Sequence, residues 1–253
     1  MRYAPTVRTS PSSRAGYGLV VIAALFTAFS IIAAAAIERN NVSIALDQQI
    51  AAKAQLRRLN KAILLYARAN SNRFPCPASQ ELAYSNASFG VAVTNCYTGA
   101  AASGTVLLTG TPGNDDVNLG MVPVRTLIPY GISLSDAFDP WNDRITYAVH
   151  RQMTPSGSGS VGAGERVTVM DLNTGSYYGD PDFVLISFGK DRMGGRIKGQ
   201  SVLTSALVTC VGADRRGENC DNDNVLYVGP PVVFTSANTS TEYFDDILSW
   251  FRL

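Results

Sequence analysis

The chain has 253 residues, with 21 basic and 20 acidic side chains and a formal net charge of +1. That length suits one well-cored domain with appendages, or two small domains. The near balance of charge leaves no globally basic surface for nucleic acid, and a single histidine, His150, argues against histidine-based metal or proton chemistry.

In chain order, the first feature is a basic N-terminus. Arg2, Arg8 and Arg14 precede any acid, the first of which is Glu38. Residues 18–37 read GLVVIAALFTAFSIIAAAAI, without a charge. As a helix this stretch spans about 30 Å, enough to cross a bilayer core. A secretory signal peptide has a shorter apolar core followed by a small-x-small cleavage site. The alanine run offers such a site near Ala36, so cleavage there is the competing reading. The apolar run is long for that role, and the helical pattern continues beyond it. Residues 38–71 contain neither Pro nor Gly. Val42, Leu46, Ile50, Leu56, Leu59, Ile63 and Tyr66 recur among Asp47, Lys53, Arg57, Arg58 and Lys61, an amphipathic pattern. The sequence therefore predicts a membrane helix at 17–37 running into an amphipathic half at 38–71, roughly 75 Å of rod. The positive-inside rule puts the N-terminus in the cytoplasm and the rest across the membrane.

Beyond residue 72 the pattern changes to short β-rich runs between Gly, Ser, Asn and Pro turns. Strands are expected over 144–149, 166–172, 183–188 and 225–228. Residues 154–164, rich in Gly, Ser and Pro, read as a loose hairpin connection. Asp139-Pro140 is turn chemistry before a strand. The terminal segment is expected to dock through Tyr243, Phe244, Ile247, Trp250 and Phe251, with Asp245 and Asp246 on a helix. The expected fold class is α+β, with an antiparallel sheet packed on the C-terminal half of the long helix.

Four cysteines form two local pairs, Cys76 with Cys96 and Cys210 with Cys220. Three pairings are formally open. The local one is preferred because each pair brackets a polar, turn-rich loop that a bridge would pin. Such bridges need an oxidising compartment; four buried thiols in a cytosolic protein are the alternative.

No catalytic set stands out. Gly157, Gly159 and Gly162 have dinucleotide-fingerprint spacing but lack the strand before and the helix after that the motif requires, so they read as a linker. No Gly-x-Ser-x-Gly occurs at a strand-to-helix turn. On a helix, Asp245 and Asp246 would point about 100° apart, away from a shared site. The expectation is a structural protein rather than an enzyme.

Several segments together resemble the type IV pilin and type II secretion pseudopilin family. Arg14-Ala15-Gly16-Tyr17-Gly18-Leu19-Val20-Val21 is similar to a prepilin junction: a basic leader, a glycine, an aromatic residue and a long apolar helix. Asp139-Pro140-Trp141-Asn142-Asp143 looks like the pseudopilin turn that opens a strand. Val184-Leu185-Ile186-Ser187-Phe188-Gly189-Lys190-Asp191 looks like the strand that ends in a glycine-rich turn. Phe74-Pro75-Cys76-Pro77-Ala78, Gly120-Met121-Val122-Pro123 and residues 243–250 resemble a pseudopilin-like branch. The resemblance implies a pilin-like fold, cleavage after Gly16 by a prepilin peptidase, and methylation of the new N-terminal Tyr17. It also implies a calcium site in the loop at Asp191. Asp221 and Asp223, alternating with Asn222 and Asn224, are added as further oxygen ligands; a solvated turn is the other reading of these residues. One departure is Val21, which takes the position where most pilins carry a membrane-buried glutamate. Among pseudopilins that loss resembles a tip subunit.

The expected organisation is a leader at 1–16, a transmembrane helix at 17–37, its amphipathic continuation at 38–71 and an extracytoplasmic α+β head at 72–253. The expected role is a filament subunit, single-pass in the inner membrane with a periplasmic head. Its partners would be other pilin-type subunits, the peptidase, an inner-membrane assembly platform and the bilayer, with no nucleic acid and no cofactor besides the calcium already named. The alternative is a membrane-anchored periplasmic binding or scaffold protein that is neither processed nor polymerised; an anchored hydrolase comes third.

Overall fold

The computed structural model describes residues 14–96, 106–108, 117–155, 167–171, 176–190, 225–228 and 247–252. The chain divides into two compact units, Met1–Ala45 and Leu46–Leu253. One helix, α1, runs over Arg14–Ala69. Its sequence favours this state: it is rich in Ala and Leu and free of Pro, and its only glycines, Gly16 and Gly18, lie in the first two turns. In the first unit Val20, Leu25, Phe26, Phe29, Ile32 and Ile37 are all exposed. By length and composition, this is a helix able to cross a membrane.

The helix ends where Ser71 and Asn72 adopt positive φ, 55° and 59°. Asn tolerates that left-handed conformation better than most residues. The Asn72 amide then reaches back to the Ala67 carbonyl at 2.8 Å, satisfying a backbone acceptor that the helix end leaves open.

In the second unit Ala52, Leu56, Leu59, Ala62, Ile63 and Ala67 are buried at helical spacing. Three of the seven apolar positions expected on the helix stripe behave otherwise: Val42, Leu46 and Ile50 are 43%, 54% and 57% exposed. Burial begins only where the chain supplies a sheet to pack against.

That sheet has five antiparallel strands: β1 (Val106–Leu108), β2 (Val117–Met121), β3 (Thr146–His150), β6 (Phe183–Ser187) and β8 (Ile247–Phe251), in the order β1-β2-β3-β6-β8. Tyr147, Val149, Phe183, Leu185 and Ile247 on one face share a core with Leu56, Leu59 and Ile63 of α1. The opposite face carries Val117, Ala148, Val184 and Ile186, which pack with Val167 and Val169. Val169 lies in β4 (Thr168–Asp171) and Val167 just before it; with β5 (Tyr177–Gly179) and β7 (Val225–Val228), β4 forms a second layer in the order β5-β4-β7. Covered on both faces, β3 and β6 are buried at every position. The unbroken apolar run Phe183-Val184-Leu185-Ile186 matches that environment.

The α+β class holds, with an antiparallel sheet packed on the C-terminal half of α1 and two corrections. The smaller sheet, which was not expected, is mixed, since β4 and β7 pair in parallel. The two strands joined by residues 154–164, most of which lie outside the described residues, do not pair as a hairpin: β3 pairs with β2 and β6, whereas β4 lies in the other sheet. The C-terminal segment, expected to be helical, forms β8 against β6. Its alternation explains why: Ile247, Ser249 and Phe251 turn to the α1 side while Leu248 and Trp250 turn to the second layer, a period of two rather than 3.6. Asp245 and Asp246 lie outside the described residues.

Candidate functional site

Segments far apart in sequence meet at one end of the larger sheet. The centre is Asp139, only 6% exposed. Its Oδ1 accepts from the backbone N–H groups of Trp141 at 3.0 Å and Asp143 at 2.9 Å, closing the turn that Pro140 initiates. Its Oδ2 accepts from Ser187 Oγ at 2.6 Å. One carboxylate thus ties the Asp-Pro-Trp turn to the end of β6. Burial pushes this carboxyl up to about 6, against the hydrogen bonds from Ser187 and the Asp143 amide, which pull it down. Asn142 takes the positive φ of 68° that the turn requires.

The Pro-Cys-Pro segment is held to the same end. The Tyr147 hydroxyl donates to the Pro75 carbonyl at 3.1 Å. Ala78 exchanges backbone hydrogen bonds with Met121 at 2.8 and 2.9 Å, extending the β2 ladder by one bridge. Arg144, 2% exposed, donates to the Gln80 carbonyl and sits 5.4 Å over the Phe89 ring. Cys76 and Cys96 form a disulfide with Cα atoms 5.8 Å apart. Asn118 Nδ2 donates to the Cys96 carbonyl, fixing the bridged loop on β2. At Gly90 the φ of 71° and the nearness of Val124, whose Cγ2 would lie 2.6 Å from a Cβ, leave no room for a side chain.

The contact with α1 is also polar in part. Gln55, 7% exposed, donates from Nε2 to the carbonyls of Asp136 and Phe138 at 3.0 and 2.7 Å. Arg58 pairs with Asp136 at 2.9 Å. Burial raises the Asp136 carboxyl, but hydrogen bonds from Ser133 and Arg58 hold it below its ordinary value.

The Asp139 carboxylate and the Ser187 hydroxyl are buried and hydrogen-bonded to each other, and the carboxylate also accepts from backbone amides. His150 is fully buried, with Nδ1 accepting from the Gln152 amide at 3.2 Å. Gly16 and Tyr17 lie within α1. Asp191, Asp221 and Asp223, the calcium candidates, lie outside the described residues, as do Cys210, Cys220, Gly157, Gly159 and Gly162. Among the described residues no group of three or more His, Cys, Asp or Glu is placed to hold a metal ion.

No family model, curated protein or solved structure matches the chain. The likeness is therefore one of architecture: a long apolar N-terminal helix, an antiparallel sheet and a disulfide. That shape is compatible with a pilin-like fold. The Asp139–Ser187 bond, Gln55 and Arg144 were not singled out from the sequence. Position in a motif hinted at the first, but nothing local marks Gln55 or Arg144 as buried.

Proposed function

We propose that this chain is a structural subunit of a pilin-type filament, of the type II secretion or type IV pilus kind, held in the inner membrane by α1 before assembly. The observation that supports this most is the single helix Arg14–Ala69. Its N-terminal part exposes a nearly continuous apolar surface, while Leu56, Leu59 and Ile63 are core. At about 25 cal/mol per Å² that surface is unfavourable in water. Lipid covers it in the membrane, and the helices of neighbouring subunits replace lipid in a filament. The alanines at 33–36 allow close helix approach.

The arginines at 2, 8 and 14 keep the N-terminus cytoplasmic, where the peptidase cuts after Gly16 and Tyr17 is methylated. The head then faces the periplasm, whose oxidising chemistry keeps the Cys76–Cys96 bridge. Val21 in place of a membrane carboxylate fits a subunit at the filament tip, which has no subunit above it to receive. Intact-mass measurement of the membrane-extracted protein tests the reading. A mass beginning at Tyr17 with one added methyl is expected, and substitution of Gly16 should abolish it. A mass beginning at Met1 or Arg2 would instead mean an unprocessed anchored scaffold.

A further inference from the structure

Among the described residues, the C-terminal strand β8 ends the larger sheet. The His150 amide donates to the Asp182 carbonyl, which sets the hydrogen-bond alternation along β6. Phe183, Leu185 and Ser187 therefore turn their backbone groups toward β8, where Phe251, Ser249 and Ile247 answer them in register. The backbone groups of Leu248 and Trp250 consequently turn to the edge that no other described strand covers. Asn60 Nδ2 reaches the Trp250 carbonyl at 3.4 Å.

Between this edge and α1 lies a groove of about 260 Å³, lined by Lys53, Leu56, Arg57, Ile247, Leu248 and Ser249. β8 runs alongside α1 in the same direction, since residues 53–57 face 247–249 and Asn60 meets Ser249 and Trp250. The helix bears Lys53, Arg57 and Lys61 at successive i, i+4 positions, all exposed. Like charges at that spacing disfavour a helix, and no described carboxylate is paired with them; among the described residues the one ion pair on this helix goes to Arg58. Successive cations are about 6 Å apart along the helix. Alternate side chains of an extended strand are about 6.7 Å apart.

From these dimensions and charges we infer that β8 is the docking edge for an extended acidic segment of a partner protein. The segment adds as a strand to the sheet. Its carboxylates, at every second residue, fall on Lys53, Arg57 and Lys61. This goes beyond the filament reading and does not depend on it, because it names a surface and a partner chemistry whatever the fate of the N-terminus.

The test uses the full chain in nanodiscs of zwitterionic phospholipid and fluorescein-labelled peptides of about eight residues, read by anisotropy. One peptide alternates Val and Glu, one alternates Val and Lys, and a third is the Glu peptide N-methylated on alternate amides. The Glu peptide should bind, more weakly as salt rises. The Lys peptide, the methylated peptide and the Arg57→Glu variant should each weaken binding by about tenfold or more. Arg57 is exposed, so the variant's unchanged melting checks that it remains folded. Equal binding of the Glu and Lys peptides, or no binding of any peptide, overturns the proposal. Charge-dependent binding that ignores N-methylation overturns strand addition.

Discussion

Two stretches of one helix carry much the same apolar side chains in opposite surroundings. From Val20 to Ile37 the large ones are exposed, Phe29 by 71% and Ile32 by 68%, whereas Leu56, Leu59 and Ile63 are at most 1% exposed. The charges interspersed in the later stretch mark it as amphipathic, and the earlier stretch has none. What also differs is the partner: the later stretch has a sheet face of Tyr147, Phe183 and Leu185 in the same chain, and the earlier one has nothing there to pack against among the described residues. An apolar stripe states that a helix must be covered, not by what.

Mutations should divide along that line, and the largest effect is expected at the buried stripe. Leu59→Ala should cost about 3–4 kcal/mol in denaturant melts of the full chain in detergent, through lost burial and a cavity. Ile32→Ala should stay within about 0.5 kcal/mol in the same assay. Equal losses at both positions would end the comparison. Next in size is the disulfide: Cys76→Ser opens a loop of sequence separation 20 and should remove about 3 kcal/mol. No change in the midpoint under non-reducing conditions would mean the bridge does not constrain the unfolded chain.

Asp139 gives a smaller effect with a definite pH window. Its folded value, about 6, lies above the ordinary 3.8, so between those values the native state holds a proton that the unfolded chain has lost. This group's contribution is full below about 4 and is lost as pH rises through about 6, a difference of order 2–3 kcal/mol. Asp139→Asn should remove that decline, and melts from pH 4 to 7 in which wild type and variant keep the same slope would refute it. Asp136 works the other way. Held below its ordinary value by Ser133 and Arg58, its stabilisation is present above about 4 and lost as pH falls further. Arg58→Ala, which removes a partly exposed pair, is expected to cost only about 0.5 kcal/mol at neutral pH, checked in the same melts.

Much of the architecture was legible in local chemistry. The long helix follows from a run without Pro, the core strands from β-rich runs around Tyr147 and Leu185, and the 76–96 bridge from a cysteine pair bracketing a turn-rich loop. The C-terminal strand was less legible: Asp245 and Asp246 read as helical, whereas the alternation of Ile247, Ser249 and Phe251 carries the period of two that sets it against β6. The parallel β4–β7 pair was not legible, because parallel pairing depends on where a distant strand arrives.

For this protein, sequence alone determined what is set by bonds between near neighbours and by transfer from water: an apolar span of bilayer length, the turn at Asp139-Pro140, and the α+β class. Only the tertiary structure decided that Val42, Leu46 and Ile50 stay exposed, that Asp139 bonds Ser187, and that Lys53 and Arg57 line a groove beside a strand edge. Those outcomes depend on which distant surface arrives opposite a residue, and desolvation and hydrogen bonding have no value until it does.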